Sequence, residues 1–190
     1  MNQYFKNIRI ISGILKGRMI RTISVNLLRP TLNKIRETLF NWLRKKIYNA
    51  ECLDCFSGSG SLSIESISRS AKYVTALEKD KKIFDNLKYN INKLNIKNIN
   101  IIHTNTLLWL KKQSYKYDII FLDPPYNNNI LQEAIFLIEN NKLIKKSGYI
   151  YIETRKDKKI QYPKSWILHK NKYTNDINYK LYTLYKNNEK

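Results

Sequence analysis

The sequence predicts an α/β fold in which helices pack on a mostly parallel sheet. Short apolar stretches alternate with amphipathic helical patterns through the middle of the chain, which is typical of strands joined by crossover helices. The last third changes to strand patterns with little helix between them, which indicates an antiparallel hairpin at the sheet edge. A length of 190 residues allows one such unit with a small extension.

The predicted extension covers residues 1–48, and the predicted main domain covers residues 49–190. Strand patterns at residues 8–11 and 19–24, with glycines between them, predict a hairpin. A helix follows, with Thr31 as its N-cap and an apolar residue at every fourth position. These apolar residues are Ile35, Leu39, Leu43 and Ile47.

The main domain is predicted to alternate between strands and helices. The strand patterns cover residues 52–55, 73–77, 99–103 and 117–122, and the helical patterns cover residues 61–68, 80–94, 106–112 and 130–140. The final strand patterns cover residues 149–153, 166–169 and 179–185. Stretches rich in Asn and Lys are interpreted as loops, at residues 95–98, 126–129 and 170–178.

The chain is strongly basic, with a formal net charge of +20. Lysine and arginine release condensed counterions when they meet phosphates, so this charge favours a polyanionic partner. Arginine is concentrated in the first quarter of the chain, which makes the extension the candidate surface for that partner. The sequence has no run of 18 apolar residues and no signal-peptide pattern, so we expect a cytoplasmic protein without a membrane segment.

Cys52 and Cys55 have the spacing of a redox pair or of half a zinc site. The sequence contains no second pair of cysteine or histidine residues at a spacing that would complete a metal site. We therefore interpret both cysteines as residues of a strand end and expect no metal.

A glycine-rich turn follows the first strand of the main domain. Asp54 ends that strand, and the turn with Ser57, Gly58 and Gly60 opens the next helix at the carboxyl edge of the sheet, where open α/β folds bind ligands. Glycine lets a nucleotide-like cofactor approach the backbone closely. Glu78 ends the second strand, where a carboxylate can accept both hydroxyl groups of a ribose.

Two cofactors with a ribose are compatible with this turn. The dinucleotide fingerprint requires a third glycine, and Ser63 stands at that position, which argues against an oxidoreductase that uses NAD. The carboxylate of Glu78 suits either NAD or S-adenosylmethionine. The choice between the two depends on the motif at the end of the fourth strand.

That motif is Asp123-Pro124-Pro125-Tyr126. The exocyclic amine of a nucleobase is a poor nucleophile with two donor hydrogens. The Asp123 carboxylate and the Pro124 carbonyl would accept both hydrogens and aim the nitrogen at a methyl group. The prolines stiffen the loop, and Tyr126 would stack on the base. Together with the glycine turn, the motif predicts a methyltransferase that uses S-adenosylmethionine on a nucleobase amine.

Four segments of the chain resemble the bacterial 16S ribosomal RNA guanine-N2 methyltransferases of the RsmD type. The motifs that carry the resemblance are residues 9–18, 28–43, 53–65 and 121–126. The resemblance itself covers nearly the whole chain. The second segment is the most specific, because other amino-methyltransferases lack its Arg-Pro-Thr entry to a helix. The resemblance implies a Rossmann-like class I fold with a seven-stranded sheet and methylation of the 2-amino group of one guanine in 16S RNA.

At one position in the cofactor site the chain departs from this family. Asn105 follows the third strand, where the family usually presents an aspartate that meets the adenine amine. The side-chain carbonyl of Asn105 is also an acceptor, so the resemblance still implies a contact with the cofactor.

The resemblance also implies a partner, the 16S RNA within the small ribosomal subunit or an assembly intermediate. Arg9, Arg18, Arg29 and Arg36 are candidates to contact the RNA, and Arg36 is expected near the reaction cleft. Nothing in the sequence indicates an obligate dimer, so a monomer is expected.

Two other functions stay open. An N6-adenine methyltransferase that acts on DNA or RNA also uses Asp-Pro-Pro-Tyr, although this chain has no target-recognition domain. A basic ribosome-assembly protein that has lost its cofactor site is the second. The identity of the methylated nucleoside separates the first from the expected function, and S-adenosylmethionine binding separates the second.

Overall fold

A central sheet organises the computed structural model, which describes residues 7–23, 33–125 and 129–184. The strands in chain order are β1 (Asn7–Arg9), β2 (Met19–Arg21), β3 (Glu51–Asp54), β4 (Tyr73–Glu78), β5 (Ile99–His103), β6 (Tyr117–Leu122), β7 (Ile144–Arg155), β8 (Trp166–Tyr173) and β9 (Ile177–Leu184). The helices are α1 (Asn33–Trp42), α2 (Ser61–Ser68), α3 (Lys81–Lys93), α4 (Thr106–Leu110) and α5 (Ile130–Asn140).

The central sheet has seven strands in the order β5-β4-β3-β6-β7-β9-β8. Neighbouring strands from β5 to β7 are parallel, whereas β9 is antiparallel to both β7 and β8. The predicted mostly parallel seven-stranded sheet with an antiparallel hairpin at its edge is therefore confirmed. The separate pair β1 and β2 is antiparallel, as the predicted N-terminal hairpin requires.

Both faces of the sheet are covered, because the central strands are apolar on both sides. On β6, Phe121 packs in a cluster with residues of α1, α2 and α3, whereas its neighbour Ile120 packs in a second cluster with residues of α4 and α5. Alternate side chains of one strand thus anchor two helical layers. Because β3 to β7 are parallel, their carboxyl ends lie at one common edge of the sheet.

The N-terminal hairpin shares the first of these clusters. Ile8, Ile10 and Ile20 are buried there beside residues of the central sheet. Gly13, which has φ of +85°, lies so close to α2 that a Cβ atom would be 1.7 Å from the carbonyl oxygen of Ser68. The hairpin is thus docked on the main domain, and the predicted division at residue 48 stays a prediction about folding units.

Three predicted boundaries are wrong. Strand β7 begins at Ile144 and ends at Arg155, beyond the predicted range 149–153 at both ends. Helix α1 ends at Trp42, although the apolar pattern continues to Ile47. Leu43 and Ile47 are buried, but they lie in the turns that follow the helix. Strands β8 and β9 extend into the predicted loop at 170–178. The predicted N-cap Thr31 lies outside the described residues.

Candidate active site

Three carboxylates lie at the carboxyl edge of the sheet, at the point where the strand order reverses. β3 is hydrogen-bonded to β4 on one side and to β6 on the other, and Asp54 is in register with Ala76 and Phe121. Glu78 ends β4, and Asp123 follows the last residue of β6. In open α/β sheets such a reversal leaves a crevice for a ligand. The sheet therefore brings together three residues that the sequence predicted as site residues.

Asp54 is almost fully buried below this crevice. Its Oδ2 accepts a hydrogen bond of 2.6 Å from the hydroxyl of Ser63, whereas Oδ1 has no hydrogen bond of good geometry. Burial is the main cause that raises the pKa of Asp54 to about 6, against the opposing effect of the Ser63 hydrogen bond. A buried carboxylate with an unused oxygen suits a cationic or donor group of a ligand.

Glu78 supports the glycine turn directly. Its Oε2 accepts from the Gly58 N–H at 3.0 Å, and its Oε1 accepts from the Asp80 N–H at 2.8 Å. Burial raises the pKa of this carboxyl group, and the backbone hydrogen bonds act in the opposite direction. Each carboxylate oxygen retains a second lone pair, so the side chain can still accept two hydroxyl groups.

Ser57 and Gly60 have structural roles in the turn. The Ser57 hydroxyl donates to the carbonyl of Leu77 at 2.9 Å, which ties the turn to β4. Gly60 has φ of +80°, and a Cβ atom there would lie 2.3 Å from the Leu87 side chain on α3. The left-handed backbone at position 60, with Leu87 packed close to it, therefore favours glycine. A direct cofactor contact by Ser57 or Gly60 stays a prediction.

Asn105 caps α4 with its side chain. Its Oδ1 accepts from the N–H groups of Leu107 and Leu108, at 2.9 and 3.2 Å. The predicted acceptor is therefore already engaged, and the side-chain amide of Asn105 is the group with spare hydrogen-bonding capacity. A contact between Asn105 and the adenine stays a prediction.

The Asp-Pro-Pro segment borders a cleft. Asp123 is partly exposed, Pro124 is buried, and Pro125 is exposed. Both prolines line the cleft, which has a volume of about 710 Å³ and continues toward α5 and the end of β7. The predicted stacking residue Tyr126 lies outside the described residues.

The predicted RNA contact at Arg36 is wrong. Arg36 is 0% exposed on α1, and its side chain forms an ion pair of 3.9 Å with Glu65 and hydrogen bonds with the Arg9 carbonyl and Asn33. Burial is the largest cause that lowers the pKa of this guanidinium. Arg36 therefore holds α1 on α2 and the hairpin, and it has no surface for a phosphate.

Glu65 is the centre of that buried network, and sequence reasoning did not find its role. It accepts from the backbone N–H groups of Ile11 and Ser12 at 2.8 and 3.0 Å, and from Arg69 Nε at 2.8 Å. Glu65 is 0% exposed. The available signal was that Glu65 is the one charged residue among the serine, leucine and isoleucine residues of α2, since a glutamate is buried only when it is paired.

Two of the other predicted RNA contacts lie on the surface of the hairpin. Arg9 and Arg18 are exposed on the hairpin, whereas Arg29 lies outside the described residues. Beside them, the guanidinium of Arg21 lies 5.2 Å from the ring centre of the exposed Tyr89, and the Lys93 ammonium lies 5.8 Å from the same ring. Sequence reasoning missed this group of two cations around an aromatic ring, because its members lie on β2 and α3, which are far apart in the chain.

Cys52 and Cys55 are buried, and burial raises the pKa of both thiols well above its usual value. Such thiols stay protonated, which makes them poor nucleophiles and metal ligands. Within the described ranges, no three His, Cys, Asp or Glu residues are grouped to hold a metal ion. In the same ranges, no helix combines the length and the apolar character needed to cross a membrane.

The strand order and the acidic residues at the strand ends define a methyltransferase with a Rossmann-like fold. A solved structure described as the putative methyltransferase yhhF from Escherichia coli superposes with a TM-score of 0.86 and 34% identity, covering 94% of this chain and 98% of that one. The fold and the enzyme class are thereby confirmed.

Sequence relatives give the family. Residues 8–183 match the family model described as Conserved hypothetical protein 95. The chain is 55% identical over 185 residues to ribosomal RNA small subunit methyltransferase D of Buchnera aphidicola subsp. Acyrthosiphon pisum (strain APS), covering 95% of this chain and 97% of that protein. It is 37% identical over 176 residues to the protein of the same name from Escherichia coli (strain K12), covering 92% and 89%. The chain therefore belongs to the ribosomal RNA small subunit methyltransferase D family, as the resemblance predicted.

Proposed function

We propose that this protein transfers a methyl group from S-adenosylmethionine to the 2-amino group of a guanine in 16S ribosomal RNA of the small subunit. The observation that carries the proposal is the meeting of Asp54, Glu78 and the Asp123 motif at one reversal point of a methyltransferase sheet. The names of the relatives support the small-subunit RNA as the substrate.

The residues at the carboxyl edge fit this cofactor. S-adenosylmethionine supplies an electrophilic methyl group on a sulfonium. Glu78 would accept the two ribose hydroxyls with the lone pairs that the backbone of the glycine turn leaves available. The Asp54 carboxylate is buried beneath the crevice, and its charge would stabilise the cationic part of the cofactor. Asn105 would donate through its amide.

The Asp123 segment would hold the amine. The carboxylate of Asp123 and the backbone carbonyl of Pro124 would accept the two hydrogens of the 2-amino group, so that the nitrogen is aligned for in-line displacement. The Asp123 carboxylate would then take up the proton that the methylated nitrogen releases. Arg9 and Arg18, exposed on the docked hairpin, would contact phosphates and orient the RNA.

The test is methyl transfer from labelled S-adenosylmethionine to small ribosomal subunits that lack this modification, with naked 16S RNA in parallel. Mass spectrometry of the nucleosides should find N2-methylguanosine. N6-methyladenosine would replace the guanine proposal with the adenine alternative. No product, together with no calorimetric binding of the cofactor, would favour the non-catalytic assembly protein.

Asp123→Ala should abolish methyl transfer to the subunits while S-adenosylmethionine affinity stays within about twofold, because the carboxylate serves the amine and not the cofactor. Calorimetry and the transfer assay measure the two effects separately. A variant that loses cofactor binding in proportion to activity would contradict the assigned role of Asp123.

A further inference from the structure

We propose that the cleft beside the Asp-Pro-Pro segment binds an unpaired nucleotide adjacent to the guanine that is methylated. This inference rests on the proposed function and adds a second contact site for the RNA strand. The ligand is one nucleotide of a single-stranded RNA segment. Its base would stack on an aromatic ring, and its phosphate would contact lysines.

The position of the cleft links it to the reaction. Pro124 and Pro125 form one wall, so a nucleotide in the cleft would lie next to the base held by Asp123. The opposite walls come from α5 and from residues 158–161, which follow the end of β7. Its volume of about 710 Å³ falls within the range of small-molecule sites, about 300 to 1,000 Å³.

The lining combines an aromatic and apolar surface with cations. Leu131 and Ile160 contribute apolar surface, and Phe136 is an aromatic side chain that is 64% exposed. An exposed ring in a basic groove is the usual platform on which unpaired bases stack, and it accepts any base.

Two lysines give the cleft its charge. Lys158 and Lys159 are exposed, and no carboxylate of the described residues lies within ion-pair distance of either. Arg155 is less available, because its Nε forms an ion pair of 3.1 Å with Asp157. Two adjacent ammonium groups beside a stacking ring suit the phosphates of an RNA strand.

The acidic residues of the lining do not cancel this charge. Glu133 forms an ion pair of 3.3 Å with Lys111, and Glu153 is 2% exposed and accepts a hydrogen bond from Tyr151. Neither side chain therefore presents an uncompensated charge at the surface.

One wall of the cleft is held in place before any ligand binds. Gln132 Nε2 donates to the Gln161 carbonyl at 2.9 Å, and the Gln161 N–H donates to Gln132 Oε1 at 2.9 Å. This reciprocal pair fastens the segment after β7 to α5. A preformed site loses less entropy when it binds a flexible strand.

The first experiment compares two double variants in the subunit assay. Lys158→Ala with Lys159→Ala should raise the KM for subunits at least about tenfold and reduce the salt slope of log KM by about one to two. Cofactor affinity and thermal unfolding should stay unchanged. The matched control, Lys112→Ala with Lys116→Ala, removes the same charge beside the amino end of β6, at the opposite edge of the sheet. Equal effects of both pairs would overturn the cleft as a specific site.

A second experiment identifies the occupant. Phe136→Ala should raise the KM by about 5- to 100-fold through lost stacking, whereas Tyr48→Ala, at a more exposed aromatic residue, should have no effect. A benzophenone side chain placed at position 136 should cross-link to 16S RNA beside the methylated guanine. Cross-links only to a ribosomal protein, or only to a distant part of the RNA, would overturn the inference. Failure of the parent protein to form N2-methylguanosine would instead reject the proposed function.

Discussion

Asp54 is a buried carboxyl group that contributes directly to the pH dependence of stability. Its pKa is raised from 3.8 to about 6 by burial, so the folded protein binds this proton more tightly than the unfolded chain does. The resulting stability is present below pH 4 and is lost as the pH rises through about 6. The ionised form therefore opposes folding at neutral pH.

Asp54→Asn should remove this dependence and keep an oxygen for the Ser63 hydroxyl. We expect the variant to be more stable than the parent above pH 6, by at most about 3 kcal/mol, and to show a flatter stability profile between pH 4 and 7. Urea unfolding of the parent and the variant at several pH values measures the stability difference and the slope of each stability profile. A profile parallel to that of the parent would mean that Asp54 titrates normally.

Glu78 offers a test of the ribose contact. Glu78→Gln should weaken S-adenosylmethionine binding by about 10- to 100-fold, because a neutral amide replaces the charged acceptor. The amide oxygen can accept from only one of the Gly58 and Asp80 N–H groups, so the unfolding midpoint should also fall, and affinity is measured well below that midpoint. Calorimetry measures the affinity, and Glu37→Gln, at an exposed position on α1, is the control. Unchanged affinity in the Glu78 variant would reject the contact.

The sequence was sufficient for those residues whose position follows from a strand end. Asp54, Glu78 and Asp123 each end or follow an apolar run, and the carboxyl ends of parallel strands meet at one edge. It was insufficient for Arg36 and Asn105, because their side chains are engaged by groups that an apolar pattern does not specify. A charged residue has no periodicity that distinguishes a solvated face from a buried ion pair.

The elements depend on a few buried polar links. Glu65 on α2 accepts hydrogen bonds from two backbone N–H groups of the hairpin and forms ion pairs with Arg36 and Arg69, of which Arg36 is fully buried. Removing one partner of a buried ion pair leaves the other charge without compensation, which costs far more than the loss of an exposed pair.

Glu65→Ala should lower the free energy of unfolding by about 3 to 5 kcal/mol, since it leaves the buried Arg36 charge without its counter-ion and the Ile11 and Ser12 N–H groups without their acceptor. The control is Asp85→Ala, which breaks the exposed Lys81–Asp85 pair on α3 and should cost at most about 0.5 kcal/mol. Chemical denaturation of both variants gives the comparison. Similar small losses would show that the network contributes little.

The strand at the edge of the sheet shows where element prediction fails. Only Trp166 of β8 is buried, so the strand has no alternating apolar pattern to mark its length. Its extent is set by backbone pairing with β9, from Trp166–Leu184 to Tyr173–Asn178. Polar residues such as Lys170 and Lys172 protect such an edge from pairing with other chains, and in the sequence they indicate a loop.

For the molecule as a whole, the net charge of +20 predicts a strong effect of salt on the substrate and a weak one on the cofactor. The KM for subunits should rise by about 10- to 1,000-fold between 50 and 200 mM salt, because each phosphate contact releases counterions. The S-adenosylmethionine affinity should change by less than about twofold over the same range, since its site is partly buried. Steady-state kinetics and calorimetry test the two parts. A flat KM would mean that the basic surface does not contact RNA.

The docked hairpin sets an order of events during synthesis of the chain. Ile11 and Ser12 leave the ribosome first, but the Glu65 carboxylate that binds their N–H groups is made 54 and 53 residues later. At a synthesis rate of about 5 to 20 residues per second, the Glu65 acceptor is made roughly 3 to 11 seconds after the hairpin residues that it binds. During that time its apolar strands have no surface on which to pack. The hairpin can therefore dock on the main domain only after α2 has been synthesised.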